Sequence, residues 1–132
     1  MEKLVKDFLE QKRFAVVGSF RNKSKYAYQI LVDLADKGYE VFPVNPGIQE
    51  VEGKACYKRI SDVTGDIDVA NLVTPPLATE EIVQECLRKG IKRVWLQPGA
   101  ESEAAIQFCH DNNIRVIHSM CVMMESLKEE TR

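Results

Sequence analysis

At 132 residues and 45% hydrophobic composition, the chain is long enough to enclose one core and too short for two, so a single domain is expected. A net charge of −2 excludes a general nucleic-acid binder. No apolar run approaches the ~20 residues of a membrane span, and the charged opening MEKLVKDFLEQKR lacks the apolar middle of a secretory leader, so a cytoplasmic protein is expected.

The predicted elements alternate along the chain. KLVKDFLE is a short leading helix and FAVV a buried strand; Ala27, Ile30, Leu31, Leu34 and Ala35 then recur at helical spacing, with Gly38 as the stop. EVFPV is a second strand whose end is blurred by Pro43, ACY a short extension and VANLV a third strand. Thr79 to Lys89 predicts a helix with acids in its first turn and Gly90 behind it. RVWL, a helix from Ser102 to Asn112, the strand RVIH and a polar tail of helical character complete the series. Val- and Ile-rich strands alternating with helices predict an α/β fold: a Rossmann-like, doubly wound domain with a mostly parallel five-stranded sheet.

In such sheets ligands bind beyond the carboxyl ends of the strands, near the point where strand order reverses. The segments there are VGSFRNKSKY, VNPG, VTPPLAT, LQPGAES and HSMCVM. From Gln11 to Val32 the chain carries five Lys or Arg and no acid, so positive charge is concentrated at the first of these ends. Against the dinucleotide fingerprint G-x-G-x-x-G, Gly18 matches, but Phe20 and Lys23 occupy the next two glycine positions. Asn45 stands where an acid would hold the ribose of NAD. A ribose bearing its own phosphate needs cations, and Arg21, Lys23 and Lys25 supply them ahead of a helix N-terminus that itself favours anions. The same loop also fits a solvated basic turn with Ser24 as N-cap.

The stretch FAVVGSFRNKSKYAYQILVDLADKGYEVFPVNPG, with VEGKACYKRISDV, DVANLVTPP, KRVWLQPGAESE and VIHSMCVM, resembles the CoA-binding domain family from Arg13 to about Met124. That family comprises small stand-alone proteins related to the N-terminal domain of the succinyl-CoA synthetase alpha subunit. The resemblance implies coenzyme A as cofactor. It implies that Gly18 and Ser19 lie at the nucleotide phosphates, and that Lys25 and Tyr26 fall in a K-Y-G stretch whose glycine is Ala27 here. It further implies that Val44, Asn45 and Pro46 lie near adenine and ribose, and that Val73, Thr74, Pro75 and Pro76 lie along the pantetheine arm. Gln97, Pro98 and Gly99 match the W-x-Q-x-G turn. Where many members read D-R-C this chain reads Ser119, Met120, Cys121, so only the cysteine carries over, as a thiol at the ligand rim.

Several of these residues also have plain structural roles. Pro75 and Pro76 stop a strand, Trp95 fits a core position, and Met120, Met123 and Met124 fit apolar gaps under the C-terminal segment. His110 and His118 carry no sign of catalysis, and Cys121 fits an inert buried thiol as well as a rim thiol. With Cys56, Cys86 and Cys109 it forms no C-x-x-C pair and no close spacing with histidine, which argues against a zinc site or a disulfide framework. Three function classes follow: a non-catalytic module for CoA or an acyl-CoA; the CoA-binding subunit of a nucleoside-diphosphate-forming acyl-CoA synthetase, working with a separate partner chain; and an NAD(P) sensor. The first is favoured. A homodimer or another protein partner is compatible with it.

Overall fold

The structure, a computed structural model, describes residues 1–23 and 25–130; Ser24, read as an N-cap, lies outside the described residues. Helix α1 (Glu2–Leu9) leads into β1 (Arg13–Val17), and α2 (Tyr26–Asp36) returns the chain to β2 (Glu40–Val44). A small antiparallel hairpin, β3 (Glu50–Val51) and β4 (Lys54–Ala55), and a 3-10 turn at Ile60–Asp62 precede β5 (Val69–Leu72). Then come α3 (Pro76–Lys89), β6 (Arg93–Leu96), α4 (Glu103–Asp111), β7 (Arg115–His118) and α5 (Val122–Glu130).

Five strands form one Rossmann-like sheet in the order β2-β1-β5-β6-β7, and all its pairings are parallel. Strand alternation sends Phe14, Val16, Val69, Trp95 and Ile117 to one face, where α1, α2 and α5 cover them through Phe8, Leu31, Leu34 and Val122. Ala15, Val17, Ala70, Leu72, Val94 and Leu96 face α3 and α4, meeting Val83, Cys86, Ala105 and Cys109. Each fully buried Leu, Ile, Phe or Val contributes ~1.5–3 kcal/mol, so burial on two faces is what holds these short strands together. Trp95 is a core residue: its ring meets Phe8 edge-on at 5.9 Å, and its indole N–H donates to the Met120 carbonyl at 2.9 Å. Met120 and Met123 pack on the same core, whereas Met124 points to solvent.

Local chemistry sets the element ends. Pro43 is tolerated because β2 is an edge strand and loses no ladder donor there; its carbonyl instead accepts from Tyr57 N–H at 3.0 Å. Helix α3 begins at Pro76, three residues before the expected start at Thr79, because proline at the first helical position costs no hydrogen bond. Glu80 and Glu81 therefore stand beyond the first turn. Gly90 ends that helix in the left-handed region at φ 83°. Ser102 caps α4, accepting from Ala105 N–H at 3.3 Å. No helix among the described residues is long and apolar enough to cross a membrane.

At the opposite end of the sheet Asp7 ties α1 to two strands, with Arg93 Nε at 2.8 Å and Arg115 Nη1 at 3.0 Å from its Oδ2. Hydrogen bonding from Arg93 outweighs the opposing effect of burial and, with the charges of both arginines, holds the Asp7 carboxyl below its ordinary value. A depressed folded-state pKa stabilises above the unfolded value of about 3.9, and that contribution disappears as pH falls through the folded value. Asp7→Asn is expected to lower the melting temperature at neutral pH, with the gap to wild type closing below about pH 4. An equal gap at neutral and acid pH would show that the ion pairs contribute nothing.

Candidate functional site

The connection from β1 to β2 runs through α2 on one face of the sheet, while that from β5 to β6 runs through α3 on the other. Strand order therefore reverses between the neighbours β1 and β5, and a crevice must open beyond their carboxyl ends. A cavity of about 390 Å³ lies there. Its walls are apolar where Val17, Val44, Ile60, Val73 and Ile82 approach, and polar at Ser19, Asn45 and Thr74.

Hydrogen bonds from the sheet fix these walls. Gly18 N–H donates to the Val44 carbonyl at 3.2 Å and Val73 N–H to the Val17 carbonyl at 2.8 Å, extending both ladders past the strand ends. Asn45 joins β1 to β2 with its side chain: Nδ2 donates to the Gly18 carbonyl at 2.6 Å, and Oδ1 accepts from Gly47 N–H at 2.7 Å. Thr74 Oγ1 lies 2.7 Å from the buried Thr79 hydroxyl, anchoring the loop to α3. A Cβ built on Gly18 would stand 2.6 Å from the Ala27 methyl and 3.0 Å from the Val73 carbonyl oxygen. Gly18 is required for room, because α2 and β5 press on it from two sides.

Of the residues singled out in the sequence, Gly18, Ser19, Val44, Asn45 and Pro46 line the cavity from β1 and β2. Val73, Thr74 and Pro75 line it from β5, and Pro76 opens α3 directly behind them. Arg21, Lys23 and Lys25 are exposed and none of them lines the cavity; Arg21 comes nearest, its Nη2 3.5 Å from the carbonyl of Gly47 in the turn after Pro46, and Lys25 is the N-cap of α2. Gln97 is turned into the protein: its Nε2 donates to Asn71 Oδ1 at 3.0 Å and its Oε1 accepts from Val122 N–H at 3.1 Å. Pro98 and Gly99 form an exposed turn, where Gly99 takes φ 98°. Tyr26 and Cys121 are neighbours and neither lines the cavity; burial first, then the nearby Cys121 thiol, pushes the Tyr26 phenol well above its ordinary value.

Residues 12–126 match the CoA binding domain family. The chain belongs to that family. A conserved hypothetical protein from Pyrococcus furiosus is 38% identical with a TM-score of 0.83, over 87% of this chain and 99% of the other. The uncharacterized protein YneT of Bacillus subtilis is 29% identical over 119 residues, which is 89% of this chain and 88% of that protein. The ADP-forming acetate–CoA ligase of Methanocaldococcus jannaschii is 30% identical over 119 residues, 84% of this chain but 17% of the ligase. This chain therefore spans a small part of that enzyme's length.

Some residues lining the crevice of this CoA binding domain escaped the sequence reading: Lys58, Arg59, Ile60, Ala78, Glu81 and Ile82. For Lys58 and Arg59 the sequence signal is the basic pair in CYKRI, whose position relative to the sheet no local pattern specifies. The thiols are all free. Burial pushes Cys86 far above its ordinary value, Cys109 up to about 11 and Cys56 upward against a weak contact with the Asn45 carbonyl, so these three stay protonated and poorly nucleophilic.

Gly18→Ala is expected to cost about 1–3 kcal/mol of stability by overpacking, and Gly18→Val more. A chemical denaturation curve for Gly18→Ala that matches wild type would show that α2 and β5 yield freely around this turn.

Proposed function

We propose that the protein binds CoA or an acyl-CoA in the crevice at the carboxyl ends of β1, β2 and β5 and carries out no chemistry of its own. The observation that supports this most directly is the cavity itself. Apolar walls suit a purine, Gly18 gives the backbone close access, and cations stand at the rim for phosphates. Those features fit an adenine nucleotide with more than one phosphate group. Gly18 and Ser19 would face the diphosphate, Val44, Asn45 and Pro46 the adenosine, and Val73 to Pro76 the start of the pantetheine arm. The titratable groups among the lining residues are Lys58, Arg59 and Glu81, a set suited to holding charge. From there the arm would run toward Pro98, Gly99 and Cys121.

Calorimetric titration with CoA, acetyl-CoA, NAD, NADP and ATP tests the proposal. CoA is expected to bind at least about tenfold more tightly than either nicotinamide cofactor, which corresponds to ~1.4 kcal/mol. Tighter binding of NAD overturns it.

A second possibility, the CoA-binding part of an ADP-forming acyl-CoA ligase, draws on the similarity to such ligases from several archaea. In that reading the phosphoryl transfer lies outside this domain, and residues 1–132 by themselves are expected to form no acetyl-CoA from acetate, ATP and CoA.

A further inference from the structure

We infer that Lys58 and Arg59 recognise a phosphate on the ribose, making the crevice selective for adenine nucleotides phosphorylated there; this rests on the proposed binding of CoA. Among the described residues, neither side chain takes part in any of the ion pairs. Both are exposed, yet the segment that carries them is fixed at either end. On one side, Tyr57 is stitched to the sheet edge beside Val44: its N–H donates to the Pro43 carbonyl at 3.0 Å, and its carbonyl accepts from Asn45 N–H at 2.8 Å. On the other, Ile60 is buried against the α3 face. Two residues between such anchors have little backbone freedom, and they line the cavity next to Asn45 and Pro46.

Arg21 approaches from the opposite side. Phe20 before it is buried in the α2-side core, and its guanidinium reaches the Gly47 carbonyl. The Asn45–Gly47 turn is thus flanked by cations on both sides, Arg21 on the α2 side and the Lys58–Arg59 pair on the α3 side. A nucleotide with one phosphate cluster would engage one side only. A nucleoside carrying a diphosphate at one position of its sugar and a separate phosphate at another would engage both, and CoA is of that class. The basic loop noted in the sequence then serves the diphosphate, and the ribose phosphate falls to a pair of residues outside that loop.

The test compares CoA with 3′-dephospho-CoA, and adenosine 3′,5′-bisphosphate with AMP, by calorimetry on wild type, Lys58→Ala/Arg59→Ala and Arg21→Ala. Wild type is expected to prefer the 3′-phosphorylated member of each pair by about tenfold to a hundredfold, a margin that shrinks as salt rises. The double variant is expected to lose that margin while holding 3′-dephospho-CoA as wild type does, and to melt at the wild-type temperature. Arg21→Ala is expected to weaken both members of each pair alike. A margin that survives in Lys58→Ala/Arg59→Ala, or that disappears in Arg21→Ala instead, overturns the inference and leaves CoA binding standing. Failure of wild type to bind CoA overturns both.

Discussion

The Gly18 carbonyl accepts from the Asn45 amide at 2.6 Å, while its α-carbon lies so close to Ala27 and Val73 that no side chain fits. That single residue is where β1, β2, β5 and α2 meet. The hydrogen bond sets how far the end of β2 stands from the end of β1. Packing against Ala27 sets where α2 begins, and packing against Val73 sets the separation from β5. The crevice is the space left over once those three distances are fixed. An Asp in place of Asn45 would carry no N–H to donate to the Gly18 carbonyl, so the residue that departs from the NAD pattern is also the one that joins the strand ends.

The edge of the sheet extends the same construction. β2 has a partner on one side, and a bare edge exposes unpaired backbone groups. Tyr57 takes up two of them, at Pro43 and Asn45, and so converts a loop that would otherwise run free into a wall of the site. Pro43 contributes by lacking the N–H that a further strand would require. On the far side of the sheet, buried Gln97 links β5 to the start of α5 through Asn71 and Val122, leaving Asn71 Nδ2 without a partner. A polar pair inside a parallel sheet is costly, and here it fixes the approach of α5 where apolar packing would leave the register loose.

The order of strands and helices was legible because the central strands are buried on both faces, which forces near-continuous apolar runs such as FAVV and VWL. Gly18, Ser19, Asn45 and Thr74 were legible as strand-end residues, since the position of a crevice follows from topology. Lys58 and Arg59 were not, because their place depends on Tyr57 returning to the edge, a long-range pairing with no local pattern. The start of α3 was missed because Pro75 and Pro76 look like a stop, while the second of them is the first residue of the helix. Gln97 looked like a turn residue on a ligand rim; that its side chain faces inward follows from its sharing a face with Trp95, which periodicity beyond the strand end does not reveal.

In the proposed mode of binding, stability and recognition are carried by different residues in most of this site. Arg21, Lys23, Lys25, Lys58 and Arg59 are exposed, and exposed charges contribute little to folding, so they are free to change with little effect on the sheet. Their fields extend over a Debye length of about 8 Å at physiological salt, far enough to draw an anionic ligand toward the rim but too diffuse to fix its pose. Shape comes from Gly18, Asn45, Val73 and Thr74, whose positions are set by backbone ladders and by side-chain bonds to the Gly18 carbonyl and Thr79. Gly18 and Asn45 serve both purposes, because the space they leave is the site and the contacts they make are the joint between strands. Sequence change that retunes the ligand is therefore free to act on the charged rim, whereas change at those two positions alters fold and site together.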